Sequence, residues 1–393
     1  MDCDVAVVGA GPSGLTAARL LADRGLRVVV FEKKHAVGEQ VVCTGIVGRE
    51  VFDRFDLPRD SILREFRKLT VVSPLFSSAA YEHPENFAYA VDRKGFDRSL
   101  MRMAEDKGAR IHVSAEVVDV VAQQDAITLV LRNKEKRSVR CSARALILAT
   151  GINYNLHKKI GLGVPKDFLY GAQAEIASDV YESTHVFVGR DIAPGAFAWV
   201  VPAAEGRIRV GLMTENAPEE KLRRLLRKCG VSEKNPDSIT CPPMFRAISQ
   251  GLVSRTYSDR VLAVGEAAGQ VKTTTGGGIY YGMLGAEAAA DVMNRQLARG
   301  DLSRTALSEY ERNWKQAVRK EILIGYYARK IWSNMSDGQI EYLFQLAKND
   351  GVAPYLKEKG EFDWHGDFIL KFMKKSPFAA FLKLTSSLSQ RKN

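Results

Sequence analysis

Hydrophobic positions fall into two kinds of pattern along this chain. Val5-Ala6-Val7-Val8, Val28-Val29-Val30-Phe31 and Ala145-Leu146-Ile147-Leu148 are short unbroken apolar runs, the signature of strands buried on both faces. Between the first two, Leu15, Ala18, Leu21 and Ala22 recur at helical spacing. Asp92-Arg93-Lys94-Gly95-Phe96-Asp97 opens a second helix with Phe96, Leu100, Met103 and Ala104 on one face. Residues 111–113 and 116–121 read as strands, and 127–131 with 139–141 as a hairpin pair. Residues 69–91 are extended and broken by Pro74 and Pro84. Four strands are predicted at 168–176, 184–188, 195–201 and 207–213; in the last, Ile208, Val210 and Leu212 alternate, so one face is buried. This predicts an antiparallel sheet distinct from the opening strand–helix–strand unit. A charged helix follows at 218–229, and Pro242-Pro243 reads as a boundary. A further strand starts at Arg260, a helix runs from Ile279 to about Leu297, and the chain beyond 301 is mostly helical.

The turns between these runs carry the chemistry. Gly9-Ala10-Gly11-Pro12-Ser13-Gly14 lies between the first strand and the first helix, and Glu32 ends the second strand. Glycines there permit a tight turn and let backbone approach a pyrophosphate at the helix N-terminus. A carboxylate at the strand end accepts hydrogen bonds from an adenosine ribose, which favours FAD or NAD over NADP. A second strand-end turn, Gly265-Glu266-Ala267-Ala268-Gly269, is followed by Thr273-Thr274-Thr275-Gly276-Gly277-Gly278 at a helix start. No second GxGxxG occurs, so a second dinucleotide domain is not expected and FAD is favoured. The predicted class is α/β with α+β character. A Rossmann-like FAD-binding domain (1–72, 91–155 and 250–300) carries an inserted antiparallel substrate domain (73–90 and 156–249) and a helical C-terminal region (301–393).

Composition narrows the setting. At 393 residues and 46% hydrophobic the chain supports about two domains with real cores. Its apolar stretches fall short of the ~20 residues a membrane span needs, and residues 1–30 have no secretory pattern, so the expected location is cytoplasmic. Cys3, Cys43, Cys141, Cys229 and Cys241 are scattered without CxxC spacing, which argues against disulfides and zinc; the six histidines imply no metal either. The net charge of +11 fits nucleic acid, an anionic membrane, an acidic carrier protein, or simply anionic ligands. No nucleic-acid motif occurs.

As a set, the Gly9–Gly14 turn with Glu32, the Asp92-Arg93…Asp97 segment, Ala149-Thr150-Gly151 and Gly265–Gly269 resemble the FAD-dependent fold of para-hydroxybenzoate hydroxylase type. Within it, Pro194-Gly195-Ala196-Phe197-Ala198-Trp199-Val200-Val201-Pro202 resembles the PxxYxWxFP signature of geranylgeranyl reductases, with Phe197 for Tyr and Val201 for Phe. Cys43-Thr44-Gly45 lies where that family has a cysteine–glycine pair near the flavin. Glu266 stands where the superfamily has Asp, and Thr150 where aromatic hydroxylases have an Asp linked to NADPH use.

The resemblance implies a reductase that hydrogenates C=C bonds of a geranylgeranyl or other polyprenyl chain (a lipid, diphosphate or quinone tail), with hydride from reduced flavin and a proton to the other carbon. It implies FAD contacts from Gly9, Gly11, Pro12, Ser13, Gly14, Glu32, Lys33, Cys43, Arg93, Val118, Gly151, Gly265, Glu266, Gly276, Gly277, Gly278 and Ile279. It implies an apolar substrate wall at Phe197, Trp199 and Pro202, and a catalytic or channel-gating Cys43. NAD(P)H or a ferredoxin is the expected donor. The basic amphipathic stretch 368–384 reads equally as a peripheral membrane contact near an isoprenoid lipid and as a cover over the core. The competing readings are a flavin monooxygenase or halogenase and a non-catalytic flavin-binding adaptor.

Overall fold

The fold is described from a computed structural model, which covers residues 2–132, 138–230, 238–349 and 360–374. The chain divides into two compact units. The first comprises Met1–Leu63, Val91–Leu169 and Ala247–Ile322; the second comprises Arg64–Ala90, Tyr170–Arg246 and Leu323–Asn393.

In the first unit the apolar runs become the parallel centre of a mixed sheet, whose edge strand Tyr257–Ser258 runs antiparallel to Val261–Ala263. Its order is Tyr257–Ser258, Val261–Ala263, Ser138–Leu148, Asp2–Val8, Val28–Phe31, Arg110–His112. Val7 stands level with Ile147 on one side and Val30 on the other. All three are fully buried, as the absence of alternation requires. Val261–Ala263 pairs with Ser138–Leu148, so the two glycine turns, some 250 residues apart, follow strands of one sheet. The strand Ser138–Leu148 continues antiparallel to Ile127–Arg132, which pairs with Glu116–Ala122. The helices Pro12–Ala22, Arg93–Asp106 and Ile279–Arg299 complete the unit around the glycine turns.

The second unit is built on a seven-stranded sheet. Its order is Ile239–Gln250, Asp167–Ala177, Arg207–Thr214, Phe197–Pro202, Thr184–Val188, Lys68–Val72, Ser78–Glu82. Ala172, Ala174, Ala198, Val200, Val210 and Leu212 form one core with Leu222, Leu225 and Leu226 of the helix Pro218–Lys228. Each of those leucines contributes roughly 1.5–3 kcal/mol on burial.

Two expectations change here. Thr184–Val188 runs parallel to Lys68–Val72, so the sheet is not wholly antiparallel. These strands are separated by more than a hundred residues, and a connection of that length has no need of hairpin geometry. Pro242-Pro243 marks no boundary: both lie inside the strand Ile239–Gln250. That strand is at the sheet edge, where a missing N–H can face away from the ladder at no cost. Among the described residues no helix is long and apolar enough to cross a membrane. The stretch 368–384 is described only to Lys374, within the helix Gly366–Lys374; its remainder lies outside the described residues.

Candidate functional site

The first glycine turn is closed by contact between backbones. Gly9 has φ +106°, and a Cβ placed on it would lie 2.3 Å from the Ala149 carbonyl oxygen. A Cβ on Gly14 would lie 2.0 Å from the Gly9 carbonyl oxygen. Gly11 is different: it is the N-cap of Pro12–Ala22, and a Cβ there would meet nothing within 4 Å. Among the described residues no side chain caps this helix, so its first N–H groups are available to an anion. Glu32 accepts the Ala10 N–H through one carboxylate oxygen and the Lys34 N–H through the other, both at 2.9 Å. Each oxygen keeps a lone pair for a ribose hydroxyl. Beside it, a cleft of about 500 Å³ is lined by residues including Lys33, His35, Glu116 and Arg132. Val118 lies on the strand Glu116–Ala122 that borders this cleft. Open space at Gly11, an uncapped helix and a strand-end carboxylate together fit a dinucleotide.

The second turn leans on the first. A Cβ on Gly265 would sit 2.6 Å from Ser13 Oγ, and one on Gly282 2.3 Å from the same atom. Ser13 is thus nested between a turn and the helix Ile279–Arg299. Gln270 braces the turn: its Oε1 accepts the Gly265 N–H at 2.6 Å, while its Nε2 donates to Tyr310 Oη at 2.9 Å. Gly282, Gly285 and Gln270 were not singled out from sequence. The signal was present: Gly282 and Gly285 sit inside an otherwise good helix, where each costs about 1 kcal/mol relative to alanine unless a close contact requires it. Glu266 Oε1 accepts the Ser249 N–H at 3.2 Å. The Gly276 and Gly277 N–H groups are bonded within the turn, to the Lys272 carbonyl and Thr275 Oγ1. Gly278 caps the helix that begins at Ile279. Gly151 has φ +60° in the turn after Ser138–Leu148.

His157 ties its own short helix to the second glycine turn, Nε2 donating to the Ala267 carbonyl at 3.1 Å. The ring is fully buried and Nδ1 has no hydrogen-bond partner among the described residues. Burial holds its pKa below the ordinary value, and the Ala267 bond only partly offsets this. An unfolded chain protonates this histidine near pH 6.5, before the folded one does, so the folded state loses stability as pH falls through that value. His157→Asn is expected to flatten the fall in Tm between about pH 7.5 and 5.5. An unchanged slope would assign it to other groups.

Arg93 and Cys43 come together. Arg93 Nη2 meets both Asp97 carboxylate oxygens, at 2.9 and 3.1 Å, one helical turn apart. Asp97 is only 3% exposed. Burial opposes the Arg93 charge, but Asp97 and a hydrogen bond to Cys43 outweigh it and raise its pKa. Its Nε is buried and has no partner among the described residues. Cys43 is half-buried and accepts the Gly45 N–H at 3.4 Å.

In the second unit, Phe197 and Trp199 project from the sheet face opposite the core helix, with ring centroids 5.8 Å apart. The Trp199 indole lies across Gly211 of the neighbouring strand, where a Cβ would be 2.6 Å from the ring. Its Nε1 donates to Gln173 Oε1 at 3.3 Å. Pro202 is buried at the end of the same strand, level with Ile208.

Residues 4–153 match the model of the FAD dependent oxidoreductase family. The chain is 30% identical over 371 residues to the digeranylgeranylglycerophospholipid reductase of Methanosphaerula palustris, covering 90% of this chain and 92% of that one. It is 28% identical to digeranylgeranylglycerophospholipid reductase 2 of Methanopyrus kandleri, over 95% and 96% of the two chains. A geranylgeranyl bacteriochlorophyll reductase-like protein from Thermoplasma acidophilum shares the fold at a TM-score of 0.83, with 23% identity and coverage of 96% and 97%. With full-length similarity of this kind added to the glycine turns and Glu32, the chain belongs to the digeranylgeranylglycerophospholipid reductase family, as an FAD-dependent oxidoreductase.

Proposed function

We propose that this enzyme hydrogenates isolated C=C bonds in the geranylgeranyl chains of a glycerophospholipid. The observation that carries this reading is the full-length similarity to reductases named for that lipid. FAD, once bound and reduced by its electron donor, would supply the hydride, a chemistry no side chain offers. The chain's own residues hold it: Gly9, Gly11, Pro12, Ser13 and Gly14 with the helix N-terminus take the pyrophosphate, and Glu32 takes the ribose. Lys33 and Val118 flank the adenosine end. Gly151, Gly265, Glu266, Gly276–Gly278 and Ile279 border the ring and ribityl chain. Phe197 and Trp199 form an apolar wall for the polyprenyl chain; Pro202, in register with the core residue Ile208, closes the end of that strand on the opposite face.

The second alkene carbon needs a proton. Cys43 S–H is its source in this reading, and Arg93, kept charged by Asp97, stabilises the thiolate left behind until solvent reprotonates it. Cys43→Ala is expected to lower turnover by at least about a hundredfold while leaving FAD content unchanged. Full turnover with the same products would remove Cys43 from the chemistry. The donor that reduces the flavin is NAD(P)H or an acidic ferredoxin-like carrier, and the net charge of +11 suits the latter.

The test is anaerobic. The protein is reduced chemically, mixed with detergent-dispersed digeranylgeranylglycerophospholipid, and followed by flavin absorbance and lipid mass spectrometry. Reoxidation with a gain of two hydrogens per double bond is expected. A flavin that stays reduced until oxygen enters, with the lipid untouched, would favour the monooxygenase or halogenase reading.

A further inference from the structure

The strands Lys68–Val72 and Ser78–Glu82 are joined by the tip Ser73-Pro74-Leu75-Phe76-Ser77. The tip is tightly built. Ser73 and Ser77 close it with a 2.8 Å backbone bond, and the Phe76 N–H donates to the Ser73 carbonyl at 3.0 Å. The Leu75 N–H donates to Glu341 Oε2 at 3.3 Å, and that carboxylate is held from its other oxygen by Gln345 at 2.7 Å. Pro74 rests against Gly189, whose missing Cβ would be 3.3 Å away.

This ordered base presents two large apolar side chains to solvent. Leu75 is 69% exposed and Phe76 68%. Phe76 has φ +62°, a conformation that bulky residues rarely adopt. Held this way, neither side chain contributes to the core. Beside them is a cationic helix end. Lys228 Nζ lies 5.2 Å from the Phe76 ring centroid. On the helix Pro218–Lys228, Arg223 and Arg224 are paired with Glu219 and Glu220. Arg227 and Lys228 are exposed and have no carboxylate partner among the described residues.

Two protruding apolar residues with adjacent uncompensated cations match the chemistry of a bilayer surface: acyl chains for the first, anionic headgroups for the second. We propose that the Leu75-Phe76 tip, with Arg227 and Lys228, docks this enzyme on an anionic phospholipid bilayer. This rests on the lipid-substrate reading, since a phospholipid with two geranylgeranyl chains resides in a membrane. It assigns docking to the described residues of the second unit and is independent of the C-terminal stretch.

The test uses the full-length FAD-loaded protein and sucrose-filled vesicles of phosphatidylcholine with phosphatidylglycerol. Wild type is expected to sediment with anionic vesicles and much less with pure phosphatidylcholine. L75S/F76S is expected to lose at least about tenfold in vesicle affinity, the scale for one buried apolar side chain. R227E/K228E is expected to lose the salt-sensitive part of binding. A separate variant, F76W, is expected to show a blue-shifted emission on adding vesicles. L75S/F76S should keep its flavin and its activity on detergent-dispersed lipid. If L75S/F76S sediments as wild type does, or wild type does not sediment at all, the proposal is overturned. Loss of binding to an acidic carrier protein, with vesicle binding unchanged, would overturn it in favour of a protein-docking surface. Failure to reduce the dispersed lipid while vesicle binding follows the variants would reject the substrate reading and leave the docking intact.

Discussion

Gly9→Ala is expected to be purified without FAD and with a sharply lowered Tm, whereas Gly11→Ala should fold normally and lose only the cofactor. The difference comes from what each missing Cβ faces. At Gly9 the backbone has φ +106° and the new carbon would sit 2.3 Å from the Ala149 carbonyl oxygen. Neither the strand end nor the turn can yield, because Ala149 N–H is bonded to the Val8 carbonyl and Gly9 N–H to Phe31. Backbone strain and overpacking there together cost about 2–6 kcal/mol, against a total stability of about 5–15 kcal/mol. At Gly11 the new carbon meets no atom of the described residues within 4 Å. It would occupy the space above the helix N-terminus, where the pyrophosphate must come close. Flavin affinity should fall about ten- to a hundredfold at that position, with the apoprotein Tm unchanged. Flavin absorbance per protein and thermal unfolding of apoprotein, measured on both variants, decide the matter. If Gly11→Ala binds FAD as tightly as wild type, the phosphate cradle lies elsewhere.

Legibility in the sequence followed the range of the interactions. The parallel sheet was readable because its strands are buried on both faces and therefore lack polar positions. The first turn was readable because strand, glycines, helix and acid are contiguous. Contacts made between distant segments left weaker traces. Ser13 nested against Gly265 and Gly282 is a packing fact spanning some 270 residues, and only the two glycines inside Ile279–Arg299 hinted at it. Pro242-Pro243 misled because proline is incompatible with a central strand but not with an edge one, and edge position is a property of the assembled sheet. Leu75 and Phe76 carried no signal of exposure, since an apolar pair in an extended segment reads as core.

Asp97 shows the same limit at the site itself. From spacing, Phe96, Leu100, Met103 and Ala104 form the inward face of the helix Arg93–Asp106; in the structure Asp97 is buried beside Phe96, Leu100 and Ala104. A carboxylate is retained there because the Arg93 side chain, one turn earlier, is only 11% exposed. Asp97→Ala is expected to destabilise the protein by about 3–5 kcal/mol, because it leaves the guanidinium buried without its counter-charge. Removing both charges, as Arg93→Met with Asp97→Leu, should recover most of that loss, since well-packed apolar residues replace a buried pair at little cost. Urea unfolding of the two variants measures this. Stability and function then separate. The double variant should fold yet still turn over slowly, with kcat lowered and KM for the lipid little changed. Without Arg93, its hydrogen-bond partner, Cys43 should also be labelled by iodoacetamide at a changed rate at one fixed pH, as peptide mapping of the labelled thiol would show. A merely structural ion pair would give a double variant with normal kcat and an unchanged labelling rate. A functional one couples the buried carboxylate, through one guanidinium, to the half-buried thiol that Arg93 touches.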